Sequence, residues 1–191
     1  MIFLSASIPT PGREYYGTEN APAIREAVMA FTKVCMELKL PFYFGGHPAI
    51  SPLIYQTAKE YGTDFINKIK IYQSEFFKGQ TPEEVSYFSN IQWTPKKEKI
   101  GESIALMREE MFKNPTECAV FIGGMNGIID EAKLVHEKHP DAKLLPVINT
   151  GGACKYLEEI TGFRYDSFHE NNHPFAYVYL FRKYLHQFIQ K

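Results

Sequence analysis

The 191-residue sequence has few cysteines, no surplus of either charge and no long apolar run, and each shortage excludes a class of protein. Its three cysteines, Cys35, Cys118 and Cys154, are widely spaced, which indicates unpaired thiols in a reducing compartment. Lys and Arg number 21 against 22 Asp and Glu, so the basic excess of a dedicated nucleic-acid binder is missing. No apolar run approaches the roughly 20 residues of a membrane span, and the first residues lack the basic region of a signal peptide. We therefore expect a cytoplasmic protein that binds neither membranes nor nucleic acid directly.

Several motifs of nucleotide, metal and nucleophilic chemistry are missing as well. There is no G-K-[ST] sequence, no G-x-G-x-x-G fingerprint and no G-x-S-x-G elbow, so an ordinary NTPase, dehydrogenase or serine hydrolase is not expected. The histidine pairs His136/His139 and His169/His173 have no cysteine near them, and Cys154 has no evident base beside it. We expect no metal and no other cofactor.

What is present is an alternation of short apolar runs with segments of helical period, which is typical of an α/β fold with a mainly parallel sheet. The predicted strands cover residues 2–4, 41–44, 69–72, 91–93, 118–122 and 144–148. Helices are predicted between them, including a short one capped at Thr81 and another that starts at Thr94-Pro95. Residues 175–189 form an aromatic amphipathic helix whose apolar stripe should pack on the domain or on a second copy. We expect one domain over residues 1–191, with a core of about 1–160 and a helical extension over 161–191.

Small, hydroxyl-bearing or glycine residues follow four of these strands. The turns are Ser5-Ala6-Ser7, Gly45-Gly46-His47, Gly123-Gly124-Met125-Asn126-Gly127 and Asn149-Thr150-Gly151-Gly152. The carboxyl ends of strands in a doubly wound sheet share one edge, where ligands bind. Glycine permits close approach of the backbone, and the N-terminus of a following helix attracts anions. For any single turn, ordinary tight-turn chemistry is the alternative, but together they predict a phosphate- and ribose-binding cleft.

Two carboxylates are candidates for catalysis. Glu131 lies in the first turn of the helix after Gly127, where it can bind a ribose hydroxyl, support glycosidic cleavage or merely favour the helix dipole. Glu75 follows the third strand and is its candidate partner.

Polar side chains of the turns are candidates for phosphate binding. Ser5 and Ser7 can donate to phosphate or cap a turn. His47 can polarise a phosphate or act as an acid, or it can cap the turn before Pro48. Arg13, in the loop after the first strand, has the planar guanidinium suited to phosphate, although most loop arginines are simply solvated.

Residues 121–131, FIGGMNGIIDE, resemble the glycine-rich motif of the SLOG superfamily of Rossmann-like proteins. That superfamily includes the lonely-guy phosphoribohydrolases, whose motif is P-G-G-x-G-T-x-x-E, and the DNA-processing protein DprA. Here Ile122 replaces the proline, one residue is inserted before Gly127, Ile128 replaces the threonine, and Glu131 keeps its distance from the last glycine. The other strand ends, FLSAS, FGGHP, YQSE and INTGG, look closer to a stand-alone SLOG branch associated with bacterial conflict systems.

The resemblance implies a Rossmann-like sheet with helices on both faces and a C-terminal helix. It also implies a nucleotide-derived ligand, bound by a sensor or cleaved by an enzyme at an N-glycosidic bond, as in a phosphoribohydrolase or deoxyribosyltransferase. A third hypothesis is an interaction protein with a vestigial pocket. A sensor without an effector domain would signal through a partner protein or through homo-oligomerisation, which we expect.

Overall fold

Every strand of the central sheet is a short apolar run, and all of its strands are parallel. The computed structural model describes residues 1–166 and 176–189. The strands are β1 (Ile2–Ser7), β2 (Phe42–Gly45), β3 (Ile69–Ser74), β4 (Ile91–Thr94), β5 (Cys118–Gly123) and β6 (Lys143–Pro146). They pair in the order β4-β3-β2-β1-β5-β6, each with a parallel neighbour. Because a parallel sheet is covered on both faces, its strands are apolar at consecutive positions.

Helices cover both faces of the sheet, as the fold class predicted from the sequence requires. They are α1 (Ala21–Glu37), α2 (Ser51–Ala58), α3 (Thr63–Ile66), α4 (Ile100–Met111), α5 (Asn126–Lys138), α6 (Leu157–Thr161) and α7 (Tyr177–Leu185). The helices α1, α2, α3 and α7 share one core with Ile2 and Leu4 of β1. The helices α4, α5 and α6 share the other core with Phe3. Alternate residues of β1 therefore reach opposite cores, as the pleat dictates, and the predicted Rossmann-like α/β fold is confirmed.

The direction in which the chain adds strands reverses at β1. Strands β2, β3 and β4 are laid down successively on one side of β1, and β5 and β6 are then added on its other side. Helix α1 follows β1 onto one face, whereas α5 follows β5 onto the other. The connections consequently diverge above the carboxyl ends of β1 and β5, and a crevice opens at this point in folds of this kind.

Local sequence explains the start of α1 but not the start of α4. Helix α1 begins where Asn20 caps it, with its side-chain oxygen accepting from the N–H of Ala23 at 3.1 Å. The prediction that a helix starts at Thr94-Pro95 was wrong, because Thr94 is the last residue of β4 and α4 begins at Ile100. The capping box predicted at Thr81 does not form; a 3₁₀ helix, Glu83–Tyr87, follows without a side-chain cap.

Helix α7 packs on α1 through an apolar stripe and an ion pair. Phe181 is fully buried and meets the ring of Phe31 edge to face at 5.6 Å. At the margin, Arg182 donates to the Glu37 carboxylate at 2.6 Å. The stripe predicted for this helix thus covers α1 of the same chain, while its proposed first member, Phe175, lies outside the described residues.

Removing the ring of Phe181, which is central to this contact, tests how much α7 contributes to the stability of the fold. Replacing Phe181 with alanine should lower the free energy of unfolding by about 3–5 kcal/mol, since it removes a buried ring and leaves a cavity. Met29→Ala on α1 is the matched control, because Met29 is 40% exposed and should change stability by less than about 0.5 kcal/mol. Urea unfolding measures both. Equal effects of the two variants would contradict the packing described here.

Candidate functional site

A cleft with a volume of about 430 Å³ opens at the carboxyl ends of β1, β2 and β3, between α4 and α5. Such a volume is within the range of small-molecule sites. Ten of the residues predicted for the site line it: Ser5, Ala6, Ser7, Arg13, Gly45, Gly46, His47, Met125, Gly127 and Glu131. The strand-end turns after β1, β2 and β5 thus meet in one cleft. The turn after β6 does not reach it.

Glu131 is held at the floor of the cleft by two protein donors. The Ser5 hydroxyl donates to Oε2 at 2.5 Å, and the Arg108 guanidinium donates through Nε to Oε1 at 3.2 Å. The side chain of Glu131 is only 15% exposed. Burial raises the pKa of this carboxyl above its ordinary value, although the charge of Arg108 and the hydrogen bond from Ser5 act in the opposite direction.

Arg108, which sequence reasoning missed, clamps α4 to the first turns of α5. Besides Glu131, its guanidinium donates to the Asp130 carboxylate at 3.0 Å and to the Gly127 carbonyl at 3.2 Å. The terminal nitrogen Nη2 of Arg108 lies 2.9 Å from the position that a Cβ on Gly127 would take. The guanidinium can therefore bind here only because residue 127 has no side chain. No local sequence signal identified Arg108, because its three acceptors are 19 to 23 residues further along the chain.

The start of α5 presents unused backbone donors. The N–H groups of Met125, Asn126 and Gly127 have no acceptor among the residues that the structure describes. Met125 and Gly127 line the cleft. Free N–H groups at a helix N-terminus favour an anion. The Asn126 side chain is not in the cleft; it donates to Glu14 at 2.7 Å.

The two preceding glycines are engaged with the protein itself. The N–H of Gly123 donates to the Thr150 hydroxyl at 2.9 Å, and that of Gly124 donates to the Ser7 carbonyl at 2.8 Å. Both residues are buried and have positive φ. A Cβ on Gly124 would lie 2.1 Å from the Ile128 side chain. Gly123 and Gly124 are therefore required for the conformation and packing of the turn. The N–H groups available to a ligand belong to the residues that follow, Met125 to Gly127.

The turn after β6 packs behind the cleft. Gly151 pairs with Glu19, and Gly152 lies against Gly124. The Asn149 side chain accepts a hydrogen bond from the Tyr177 hydroxyl at 3.1 Å. This turn holds the β1–α1 loop and the glycine turn of β5 together, so its contribution to the site is indirect.

His47 lies in the cleft as a neutral imidazole. Burial lowers the pKa of His47 to about 4. Its Nδ1 accepts from the N–H of Ala49 at 3.2 Å, so the proton belongs on Nε2. The side chain can donate one hydrogen bond to a ligand and brings no charge at neutral pH.

Arg13 extends into the cleft from the loop over residues 8–20. Its guanidinium makes no hydrogen bond or ion pair within residues 1–166 and 176–189. The loop is tied down directly after Arg13, by the Glu14–Asn126 hydrogen bond and by the rings of Tyr15 and Tyr156, which stack at 6.0 Å. An anchored loop thus presents an unpaired cation to the cleft.

Glu75 does not line the cleft. It is exposed and starts a short 3₁₀ helix, Glu75–Phe77, after β3. Strand β3 runs to Ser74, two residues beyond its predicted end, and Gln73 rather than Glu75 lines the cleft. Phe77, from the same 3₁₀ helix, lines it too.

The remaining candidates for chemistry have structural partners. Burial raises the pKa of the Cys154 thiol to about 12, which leaves it protonated and unreactive at neutral pH. His136 stacks on Phe163, and His139 contacts the Phe112 carbonyl. His169 and His173 lie outside the described residues. In the part of the chain that is described, no three His, Cys, Asp or Glu side chains gather as metal ligands would.

The reversal of strand order at β1, and a cleft built from the strand ends beside it, define an α/β protein of the Rossmann-like class. A sequence model described as the SLOG cluster3 family matches residues 14–185, and the chain belongs to that family. The membership in the SLOG superfamily expected from residues 121–131 is thereby confirmed. Searches of curated proteins and of solved structures found no significant match. Nowhere in the described residues is there a helix with the length and apolar character needed to cross a membrane.

Gly152 provides a test of the structural role of the last turn. Gly152→Ala should destabilise the fold strongly, because φ is +63° and a Cβ would lie 2.7 Å from the Gly124 carbonyl oxygen. Gly62→Ala is the matched control, since Gly62 has φ of +92° but nothing within 4 Å. The control should cost about 1–2 kcal/mol for its backbone conformation, and Gly152→Ala about 1–3 kcal/mol more for the overlap. Equal losses in urea unfolding would show that the turn is not tightly packed.

Acidification tests the buried, neutral state of His47. An unfolded histidine takes up a proton near pH 6.5, whereas His47 in the fold resists protonation until about pH 4. Protons therefore favour the unfolded chain as the pH falls through this window, and His47 contributes a loss of stability there. His47→Asn keeps an acceptor for Ala49 and does not titrate, so its stability relative to the wild type should rise between pH 7 and pH 4. A difference that stays constant across a series of urea titrations would contradict the assignment.

Proposed function

We propose that the cleft binds a nucleotide-derived small molecule, with its phosphate between the start of α5 and Arg13. The observation that carries this proposal is the convergence of free donors on one cavity. Met125, Gly127 and Arg13 line the same cavity, and neither the N–H groups of the first two nor the guanidinium of the third is paired with a described residue. An anionic ligand would satisfy all three.

The Ser5, Glu131 and Arg108 cluster then receives the ribose in this proposal. Both oxygens of Glu131 are held by protein donors, yet each retains a lone pair for a ligand hydroxyl. A carboxylate fixed in this way is suited to bind a sugar. We therefore propose binding, as by a sensor in a bacterial defence or stress system, as the principal role. The sensor would act in the cytoplasm and pass its signal to a protein partner or through a homo-oligomer.

The same cluster supports a second candidate, cleavage of an N-glycosidic bond. A carboxyl whose pKa is raised by burial is better suited to act as a general acid than an exposed one. The guanidinium of Arg108 would stabilise charge developing at the ligand. SLOG membership is compatible with either role.

Arg13→Gln tests phosphate binding. We expect the affinity for nucleoside monophosphates to fall at least tenfold, because a charge-assisted hydrogen bond contributes about 1.5–3 kcal/mol. Arg25→Gln on α1 is the control, since Arg25 is exposed and does not line the cleft. Calorimetry with nucleoside monophosphates and a thermal-shift screen of nucleotide derivatives provide the measurements. Failure of every nucleotide derivative to bind the wild type would refute the proposed function.

Glu131→Gln separates the two roles. Glutamine keeps the size and a carbonyl acceptor but cannot carry charge or act as a base. A sensor should lose only a few-fold in affinity and show no turnover in either form. A glycosidase should keep its binding and lose about 10²–10⁴-fold in rate, measured as base release by mass spectrometry. Turnover by the wild type that disappears in this variant would replace binding with catalysis as the principal role.

A further inference from the structure

The end of β3 brings an unpartnered amide into the cleft. Gln73 is 5% exposed and lines the cavity. Its side-chain amide makes no hydrogen bond to any of the residues that the structure describes. The amide atoms are not sealed in the core, so they are open to the cavity and a ligand there can reach them.

The neighbouring turn is shaped around this amide. A Cβ on Gly46 would lie 3.0 Å from Oε1 of Gln73 and 3.3 Å from Nε2. Any side chain at position 46 would therefore crowd the amide. Because Gly46 has no side chain, the Gln73 amide can lie beside the cavity without a steric clash.

The surroundings of Gln73 differ from those of the proposed phosphate site. Phe77 and Pro82 line the cavity from the segment after β3, and Met107 of α4 lines it nearby. Strands lie about 4.8 Å apart, so β3 ends about 10 Å from β1 and about 14 Å from β5. The cleft therefore has a cationic end at α5 and Arg13 and a second end where Phe77 and Pro82 lie beside polar residues, and an extended nucleotide can span the two. The polar residues at that end are Gln73, Gln80 and Thr81.

We propose that Gln73 and Phe77 form a subsite for the base of the nucleotide. A carboxamide offers one donor and one acceptor side by side, whichever way it is turned, and each nucleobase has an edge with the same pair. The ring of Phe77 supplies a face on which a base stacks. This inference rests on the proposed function and adds that the base, and not only the sugar phosphate, is recognised.

Gln73→Met is the principal test, since methionine keeps the volume and removes both hydrogen-bonding groups. The probes are AMP, GMP, CMP and UMP, compared with ribose 5-phosphate, which has no base. We expect the best nucleotide to bind the wild type at least tenfold more tightly than ribose 5-phosphate. The variant should lose about tenfold for that nucleotide and keep its affinity for ribose 5-phosphate. Phe77→Leu should reduce the same ratio through the loss of stacking.

Two controls separate recognition from folding. Gln92→Met makes the same change on β4, at an exposed position outside the cleft, and should alter no affinity. The melting temperature of Gln73→Met without ligand should equal or exceed that of the wild type, because an unpaired amide is replaced by an apolar group of similar shape.

A nucleotide-to-ribose-5-phosphate affinity ratio that Gln73→Met leaves unchanged overturns the base subsite while the phosphate site stands. A lowered melting temperature with equal losses for every probe overturns it too, because the amide would then be structural. If neither nucleotides nor ribose 5-phosphate bind the wild type, the proposed function fails, and the base subsite fails with it.

Discussion

The site depends on one buried carboxyl, that of Glu131, whose two oxygens both accept hydrogen bonds from protein donors. Burial disfavours the ionised form of Glu131, so the fold must supply compensating donors. One is the hydroxyl of Ser5 on β1, and the other is the guanidinium of Arg108 on α4. Because Glu131 itself is on α5, compensation of a single charge fixes three elements relative to one another. The walls of the cleft are positioned by the same contacts.

Around this fixed centre the cleft is divided by charge. The α5 end combines backbone donors with Arg13, and the β3 end is uncharged, with Phe77 and Pro82 beside the polar residues Gln73, Gln80 and Thr81. His47 contributes a donor from between them without adding charge. A ligand that complements all three regions has an anionic group, a hydroxyl-bearing middle and a flat polar-edged ring. The nucleotide proposed as the ligand has its groups in this order.

Much of the fold could be predicted because its signals are local. Continuous apolar runs predicted the strands, and Asn20 predicted the start of α1. The residues that follow the strands also predicted the edge at which the cleft opens. The end of β3 was misjudged by two residues, and this error directed attention to Glu75 rather than to Gln73.

Which glycines bind a ligand and which only shape a turn could not be predicted from the local sequence. Whether Gly123 offers its N–H to a ligand depends on Thr150, which is 27 residues further along the chain. Gly152 is required by its contact with Gly124, in a different turn. Arg108 was hidden for a related reason, because its three acceptors lie on α5 and only the tertiary fold brings that helix beside α4.

The three cysteines have a practical consequence. All are buried, at Cys35 within α1, at Cys118 on β5 and at Cys154 behind the glycine turn. A maleimide or similar alkylating reagent can reach these sulfurs only when the surrounding layer opens. The native protein is therefore already equipped with three positional reporters, and the order in which they are labelled, read by peptide mapping, would show which layer of the sheet opens first.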